Sequence, residues 1–223
     1  MQQNSSFRDG VQFAWDSTSL KLALECPRKY YYSMIRQLAP QQKSVHLLFG
    51  GHYATALEHF YKHRALGDDI DTALLKVVRE AMENSWEYKT CPTCEGHGYR
   101  LDSGPDESLE DCPDCFGGKV SVGPQAFLDN AKTRLNLIRT IVWYVEQFGD
   151  ETAAGITTHH LSNGKPAVEL SFTLDLDDEF VLCGHLDRVV DYGGSLFVMD
   201  QKTTGGTIGP YFFKPFDLDT QMT

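Results

Sequence analysis

The chain is poor in basic residues and contains no long apolar run. Its 20 lysines and arginines face 31 aspartates and glutamates, which gives a formal net charge of −11 over 223 residues. DNA is a polyanion, so contact with it would require a local arrangement of charge. No stretch approaches the roughly 20 apolar residues of a membrane helix, and the N-terminal MQQNSSFRDG has no basic stretch leading into an apolar run. These absences predict a cytoplasmic protein without a membrane partner, in the host cytoplasm if the gene is viral.

Three motifs of other enzyme classes are missing as well. The chain has no HExxH, no phosphate loop of the GxxxxGKS/T type and no GxSxG elbow. Their absence argues against a zincin, a P-loop ATPase or helicase motor, and an α/β-hydrolase. A helicase or recombinase that worked with this protein would be a separate polypeptide. With 41% apolar residues, the chain is long enough for one substantial core and a small metal-stabilised subdomain.

A glycine pair near the C-terminus separates two strand-like segments. Phe180 to Val190 is apolar and rich in β-branched residues, and Ser195 to Lys202 resumes a strand pattern. Gly193-Gly194 between them is a strong signal for a two-residue turn. The pattern therefore predicts a β-hairpin.

The register of this hairpin brings two carboxylates together. If Tyr192 and Ser195 close the turn, Asp187 lies opposite Asp200. Directly opposed residues have Cβ atoms about 4.5 to 5.5 Å apart, and two like charges there destabilise the pair unless something neutralises them. Lys202 lies two residues beyond Asp200 and points to the same side. A Mg²⁺ or Mn²⁺ ion would neutralise the two acids.

This combination suits phosphodiester hydrolysis. Oxygen ligands hold a hard cation, the cation activates a water molecule, and a lysine stabilises charge or orients the nucleophile. Gln201 would contribute its backbone carbonyl to the metal. The alternative is an ordinary hairpin whose polar side chains face solvent and in which Lys202 simply neutralises Asp200.

These residues carry a resemblance to a known family. GHLD, a glycine turn and VMDQKTT, within Gly184–Thr204, resemble the core of the PD-(D/E)XK nuclease superfamily, and the RecB-type and CRISPR-adaptation exonuclease branch is the most similar. Three further segments resemble that branch in the same order: Trp15–Ile35 its opening helix, Leu47–Tyr61 the helix with the first acid, and Pro166–Leu176 the strand before the metal hairpin. Residues 88 to 124 fall outside the resemblance.

The resemblance implies a restriction-endonuclease-like core, a central mixed β-sheet flanked by helices. It implies that Asp187, Asp200 and Glu58 hold the metal and that Lys202 is the catalytic lysine. In this branch a histidine ligand often stands four residues before the glutamate, but here that residue is Ala54. Glu58 on a solvated helix face is the alternative for that acid, and a nuclease-fold module that has lost catalysis is the alternative for the whole chain.

Substrate contacts are also implied by the resemblance. Gln221, in the terminal DTQMT, stands where such nucleases often begin a motif that contacts the substrate strand. The chain stops two residues later, which predicts that the native polypeptide continues. Arg28 and Lys29 in the CPRKYYY segment are placed to reach DNA phosphates, although this segment can equally be a packing helix with a tyrosine-rich apolar face.

Two CxxC pairs form the second strong signal. Cys91 with Cys94 and Cys112 with Cys115 are separated by 17 residues, a spacing typical of metal knuckles. Four thiolates in a tetrahedral array suit a structural Zn²⁺ ion, and the glycines after each pair allow the tight turns that knuckles need. The repeats are similar to the CxxCxGxG units of the DnaJ cysteine-rich module. Without a J domain before them, a co-chaperone is not predicted.

Other uses of the cysteines are weighed against zinc. Nothing supports export, so disulfides are not expected. An iron–sulfur cluster is a competitor, because some relatives hold one through a cysteine at the position of Cys26 and three more near the C-terminus. That C-terminal trio is missing here, so zinc is favoured, with Cys26 and Cys183 as buried core thiols.

The zinc segment interrupts a helical region. Helical spacing runs through Thr72 to Glu87 and resumes from Gln125 to Phe148, with Gly123-Pro124 marking the start of the second helix. The predicted organisation is an N-terminal helical part at 1–87, the zinc insertion at 88–124 and a helix plus the catalytic hairpin at 125–223.

The sequence as a whole predicts a metal-dependent DNA nuclease. An exonuclease that serves recombination, repair or phage DNA processing fits best, and an RNA substrate stays open. The alternatives from other classes are a catalytically inactive nuclease-fold module that binds DNA and a zinc-bearing interaction protein whose partner docks on the finger.

Overall fold

The computed structural model describes residues 6–41, 44–101, 109–124, 131–204, 206 and 208–209. Within these residues the chain is a mixed α/β protein with helices and a central mixed sheet, which confirms the α/β part of the prediction. The strands are β1 (Phe7–Arg8), β2 (Val11–Gln12), β3 (Ala14–Trp15), β4 (Trp86–Thr90), β5 (Tyr99–Leu101), β6 (Leu109–Asp111), β7 (Lys119–Pro124), β8 (Thr157–Thr158), β9 (Val168–Asp175), β10 (Val181–Tyr192) and β11 (Ser195–Met199). The helices are α1 (Ser17–Glu25), α2 (Pro27–Tyr30), α3 (Val45–Ala65), α4 (Ile70–Asn84), α5 (Arg134–Phe148) and α6 (Glu151–Ala154), with a π-helical turn at Tyr31–Ile35. None of these helices is long and apolar enough to cross a membrane.

The chain divides into two compact units. The first unit is formed by Met1–Ser44, Tyr61–Asp68 and Gln147–Thr223, and the second by Val45–Phe60 and Asp69–Glu146. The first unit contains the central sheet and the predicted hairpin. The second contains α4, α5 and the four cysteines of the predicted zinc segment.

Strand β10 is the centre of the sheet in the first unit. It pairs antiparallel with β8, β9 and β11 and parallel with β3. Gly193 and Gly194 have φ angles of 57° and 80°, the left-handed conformation that a two-residue hairpin turn requires. Tyr192 pairs with Ser195, which confirms the predicted register. Strand β11 ends at Met199, short of the predicted end, and continuing the ladder would have held two aspartates directly opposite each other.

One edge of β10 has a gap. Strands β3 and β9 pair with the same two residues, Val181 and Leu182, so they occupy opposite edges. The residues just before β9 and just after β8 both bond to the backbone of Val189, so β8 and β9 share an edge. Strand β11 pairs with the same residues as β8 and therefore lies on the edge of β3. Residues 183–187 are left between the ends of β3 and β11.

The opening helical segment is broken in the middle. Asp16 caps α1 by accepting a hydrogen bond from the Ser19 amide at 2.6 Å, and the Ser19 hydroxyl accepts one from the Asp16 amide. The helix stops at Cys26 because Pro27 restricts the residue before it, and α2 begins at the proline. Cys26 is exposed at this break, so the prediction that it is a buried core thiol is wrong.

Helices form the core of the second unit. Phe60, Val77, Leu137 and Ile141 are fully buried, and Val77 lies on the apolar face that the helical spacing predicts for α4. Helix α4 ends at Asn84, before the predicted end, and Ser85 follows it with its hydroxyl donating to the Ala81 carbonyl at 2.6 Å.

The predicted start of the second helix is wrong. Gly123-Pro124 is the end of β7, which pairs antiparallel with β4. A proline is tolerated there because the end of a strand can lack an amide donor. Residues 125–130 of the predicted helix lie outside the described part, and α5 begins at Arg134.

Candidate functional site

Asp187 and Asp200 meet at the gap on the edge of β10. Asp187 lies on β10 just beyond the last residue paired with β11, and Asp200 follows β11 directly. The confirmed register therefore brings both carboxyl groups to one place. Burial and the neighbouring Asp200 carboxyl raise the pKa of Asp187 to about 7, while Lys202 partly opposes this rise.

Asp200 is partly buried and incompletely bonded. Its Oδ2 lies 2.7 Å from the Lys202 ammonium, while its Oδ1 is buried and has no hydrogen-bond partner in the described part of the protein. An ionised oxygen buried without a partner is costly. Carboxylate oxygens are ligands that hard divalent cations accept, so Asp187 and Asp200 are residues of this pocket that could hold one.

The two acids and Lys202 line a pocket of about 360 Å³. Its apolar wall comes from the start of α1 and from the strands around the gap: Leu20, Phe172, Leu182, Leu186 and Val198. The end of β3 leads into α1 on one side of the gap, and the end of β11 leads into Asp200 on the other. The topology of the sheet thus builds the pocket where two strands stop beside a third that continues.

Glu169 is a site residue that sequence reasoning missed. It lies on β9, its charge contributes to the raised pKa of Asp187, and its backbone φ of 51° is unusual for a residue other than glycine. In the sequence it was one acid within a segment recognised only as a strand. Its position in the register, two residues before Ser171, was the available signal, because Ser171 pairs with His185.

The other predicted residues of the nuclease site lie in different surroundings. Gln201 stands between Asp200 and Lys202, partly buried. Arg28 and Lys29 are exposed in α2, and the Arg28 guanidinium lies 5.9 Å from the centre of the Tyr32 ring. Glu58 is partly buried on α3 and belongs to the second unit, so its part in the metal site stays a prediction. Gln221 lies outside the described residues.

Cys183 is partly buried and lines the pocket. The prediction of a fully buried core thiol is therefore wrong for this residue too. Burial raises the pKa of its thiol, and the nearby Asp16 carboxylate adds to the effect. The gap in the edge of β10 is the physical reason, because no strand covers this position on that side.

The four predicted metal cysteines converge in the second unit. All four Sγ atoms lie within 4.8 Å of one another, and three of the four residues are buried. Cys91 and Cys112 are 3.9 Å apart and Cys94 and Cys115 are 3.6 Å apart at sulfur. Four Zn–S bonds of about 2.3 Å at tetrahedral angles would separate the sulfurs by about 3.8 Å. The arrangement therefore fits a metal such as zinc.

The two knuckles support each other through their backbones. The Cys91 amide donates to the Gly118 carbonyl at 2.8 Å, and the Cys112 amide donates to the Gly98 carbonyl at 2.9 Å. A Cβ atom on Gly118 would lie 2.0 Å from the Gly96 carbonyl oxygen, so only glycine fits there. The glycines predicted to allow tight turns also let the two knuckles approach closely.

The surroundings of the sulfurs favour thiolate at the first knuckle. Burial opposes ionisation of Cys91, but the amides of Cys94 and Thr93 outweigh it and lower the pKa of Cys91 to about 7. A lowered thiol pKa eases metal binding, because the metal takes the thiolate. None of the described cysteines forms a disulfide bond, and Cys26 is not part of the cluster.

Comparison of the chain with protein-family models, with curated proteins and with solved structures gives no match.

Proposed function

We propose that the chain is a metal-dependent DNA nuclease with a PD-(D/E)XK core, and that it acts as an exonuclease in recombination, repair or phage DNA processing. The observation that supports this most is the meeting of Asp187, Asp200 and Lys202 at the mouth of one pocket. A carboxyl group whose pKa is raised by burial and by its acidic neighbour, beside a second carboxyl with an unsatisfied buried oxygen, suits a divalent cation.

Each residue has a part in the proposed reaction. Asp187 and Asp200 would hold Mg²⁺ or Mn²⁺, with the Gln201 carbonyl and Glu58 as further predicted ligands. The bound ion would act as a Lewis acid and lower the pKa of water. Lys202, oriented by Asp200 at 2.7 Å, stabilises negative charge on the phosphate.

The cysteine cluster is proposed to hold zinc in a structural role. A closed shell of four thiolates leaves no open position for a substrate or a water molecule, which is the pattern of structural zinc rather than catalytic zinc. The finger would then stabilise the second unit, while hydrolysis takes place in the first.

A cleavage assay tests the nuclease proposal. Linear and circular DNA, single- and double-stranded, are incubated with the protein in Mg²⁺, in Mn²⁺ and in chelator. We expect linear substrates to be shortened only with the metal, and Asp200→Asn or Lys202→Ala to lower the rate by about a hundredfold or more. Lys165→Ala, an exposed lysine outside the pocket, is the matched control and keeps the wild-type rate.

The controls separate the alternatives. Cleavage that survives Lys202→Ala would mean that the activity belongs to another site or to a contaminant. Absence of cleavage with retained DNA binding would instead identify a catalytically inactive binding module, which the alanine at position 54 makes a specific alternative.

A further inference from the structure

His185 shares the pocket of the two aspartates and has no role in the reaction described so far. It lies on β10 two residues before Asp187, a spacing of about 6.6 Å along a strand. Its Nδ1 lies 3.0 Å from the hydroxyl oxygen of Ser171, the residue that pairs with it across the ladder from β9. A neighbouring strand therefore holds the imidazole by one nitrogen, and Nε2 remains for a ligand.

A phosphate group in this pocket needs hydrogen-bond donors. The polar side chains that line the pocket are Ser17, Cys183, His185, Asp187, Asp200 and Lys202. The aspartates accept hydrogen bonds when ionised, and one of the three donors of the Lys202 ammonium is directed at Asp200. The imidazole adds a hydrogen-bond donor that is not paired with either aspartate.

The contact with Ser171 is the reason to assign His185 to the substrate rather than to the cation. Its Nδ1 is held by the Ser171 hydroxyl, while the proposed cation ligands are the carboxyl groups of the site. The imidazole lines the same pocket as Asp187 and Asp200, so a bound strand would lie within its reach.

We propose that His185 is a substrate-binding residue whose Nε2–H donates a hydrogen bond to a phosphate oxygen of the DNA strand. In this proposal the Ser171 hydroxyl, 3.0 Å from Nδ1, is the donor of that contact, so the ring proton lies on Nε2 and the ring is oriented. This inference rests on the proposed nuclease function, because it takes DNA as the ligand of the pocket.

Binding of a fluorescent single-stranded oligonucleotide, measured in Ca²⁺ in place of Mn²⁺, tests the inference separately from cleavage. We expect His185→Ala to weaken binding about tenfold, the effect of one lost hydrogen bond to a charged group. His185→Gln, which keeps an N–H donor, should stay within about threefold of wild type, and Ser171→Ala should fall between the two. Asn163→Ala, an exposed residue outside the pocket, is the control.

A second measurement separates substrate binding from a structural or metal role. Mn²⁺ should raise the Tm of His185→Ala by as much as that of wild type, since the imidazole is not a ligand. Unchanged DNA affinity in His185→Ala, or a lost Mn²⁺ effect, would overturn the inference. If wild type binds DNA and depends on His185 but never cleaves it, the inference stands and the nuclease proposal fails. A wild type that binds no DNA refutes the inference as well.

Discussion

Asp187 occupies a position where a carboxyl group is hard to ionise without a counter-charge. Burial, Asp200 and Glu169 all raise its pKa, and Lys202 alone among these groups lowers it. Such a carboxyl is unfavourable for the folded chain at neutral pH. Strongly perturbed pKa values of this kind, at the mouth of a pocket, are typical of functional sites.

The raised pKa predicts how stability depends on pH. The folded protein holds a proton on Asp187 up to about pH 7, whereas the unfolded chain loses it near the ordinary value of 3.8. Between these values the folded state binds more protons, so the contribution of Asp187 to stability is fully present below the lower value and is lost as pH rises through the window. Asp187→Asn removes this loss and, in chelator, should raise the Tm by a few degrees at pH 8 and by less at pH 5.

Thermal unfolding at the two pH values checks this prediction. Asp178→Asn, an exposed carboxyl in the turn before β10, is the control and should change the Tm little at either pH. A variant at Asp187 that is less stable than wild type at pH 8 in chelator would contradict the account.

Some residues of the candidate site could be predicted from the sequence and others could not. Asp187, Asp200 and Lys202 were predicted because a turn signal and a count along two strands fix the register. Glu169 and Cys183 were not assigned correctly because their surroundings depend on β9 and on the gap in the edge of β10. The pairing of β3 with β10, which bounds one side of the gap, has no local signal, since it joins residues more than 160 positions apart in the chain.

The β10–β11 hairpin is the element on which the acidic site depends. Its turn holds Gly194 at a φ of 80°, and a Cβ atom added there would meet no other atom within 4 Å, so a substitution acts through the backbone alone. Gly194→Ala should cost about 1 to 2 kcal/mol. For a chain of this size that corresponds to about 2 to 4 °C in Tm per kcal/mol.

A matched glycine in a helix provides the control. Gly51 in α3 is also free of neighbours within 4 Å but has an ordinary helical backbone, so Gly51→Ala should raise stability. Differential scanning calorimetry of the two variants measures the contrast. A loss of Mn²⁺ binding in Gly194→Ala would further show that the site depends on the hairpin register. Equal stability of the two variants would contradict the prediction that the Gly194 backbone requires glycine.

The four-cysteine segment, which is proposed to hold zinc, contains two adjacent glycines with different surroundings. Gly117 and Gly118 both have positive φ, but only at Gly118 would a Cβ atom collide with backbone, 2.0 Å from the Gly96 oxygen. Gly118→Ala should therefore lose zinc and become sensitive to protease between residues 88 and 124, whereas Gly117→Ala should retain the metal.

Metal analysis after purification without chelators measures the zinc content of the wild type and of the two glycine variants. We expect about one zinc for each wild-type chain, in keeping with a single four-thiolate shell. Zinc content that is unchanged in Gly118→Ala, or iron in place of zinc, would contradict the account of the finger.

For the whole molecule, the net charge of −11 means that the proposed binding of DNA would depend on local charge compensation. A cation held by Asp187 and Asp200 removes their repulsion of a phosphate, and Lys202 and His185 lie in the same pocket. We therefore expect the DNA affinity of this protein to depend on the divalent cation more strongly than the DNA affinity of a basic nuclease does.

The central claim is that Asp187 and Asp200 form one divalent-cation site. Isothermal titration of Mn²⁺ into the zinc-loaded protein at pH 8 tests it most directly, with Asp200→Asn as the variant and Asp178→Asn as the control. The account predicts that Asp200→Asn binds Mn²⁺ at least about tenfold more weakly than wild type and that the control binds as wild type. Equal Mn²⁺ affinity in wild type and Asp200→Asn would contradict it.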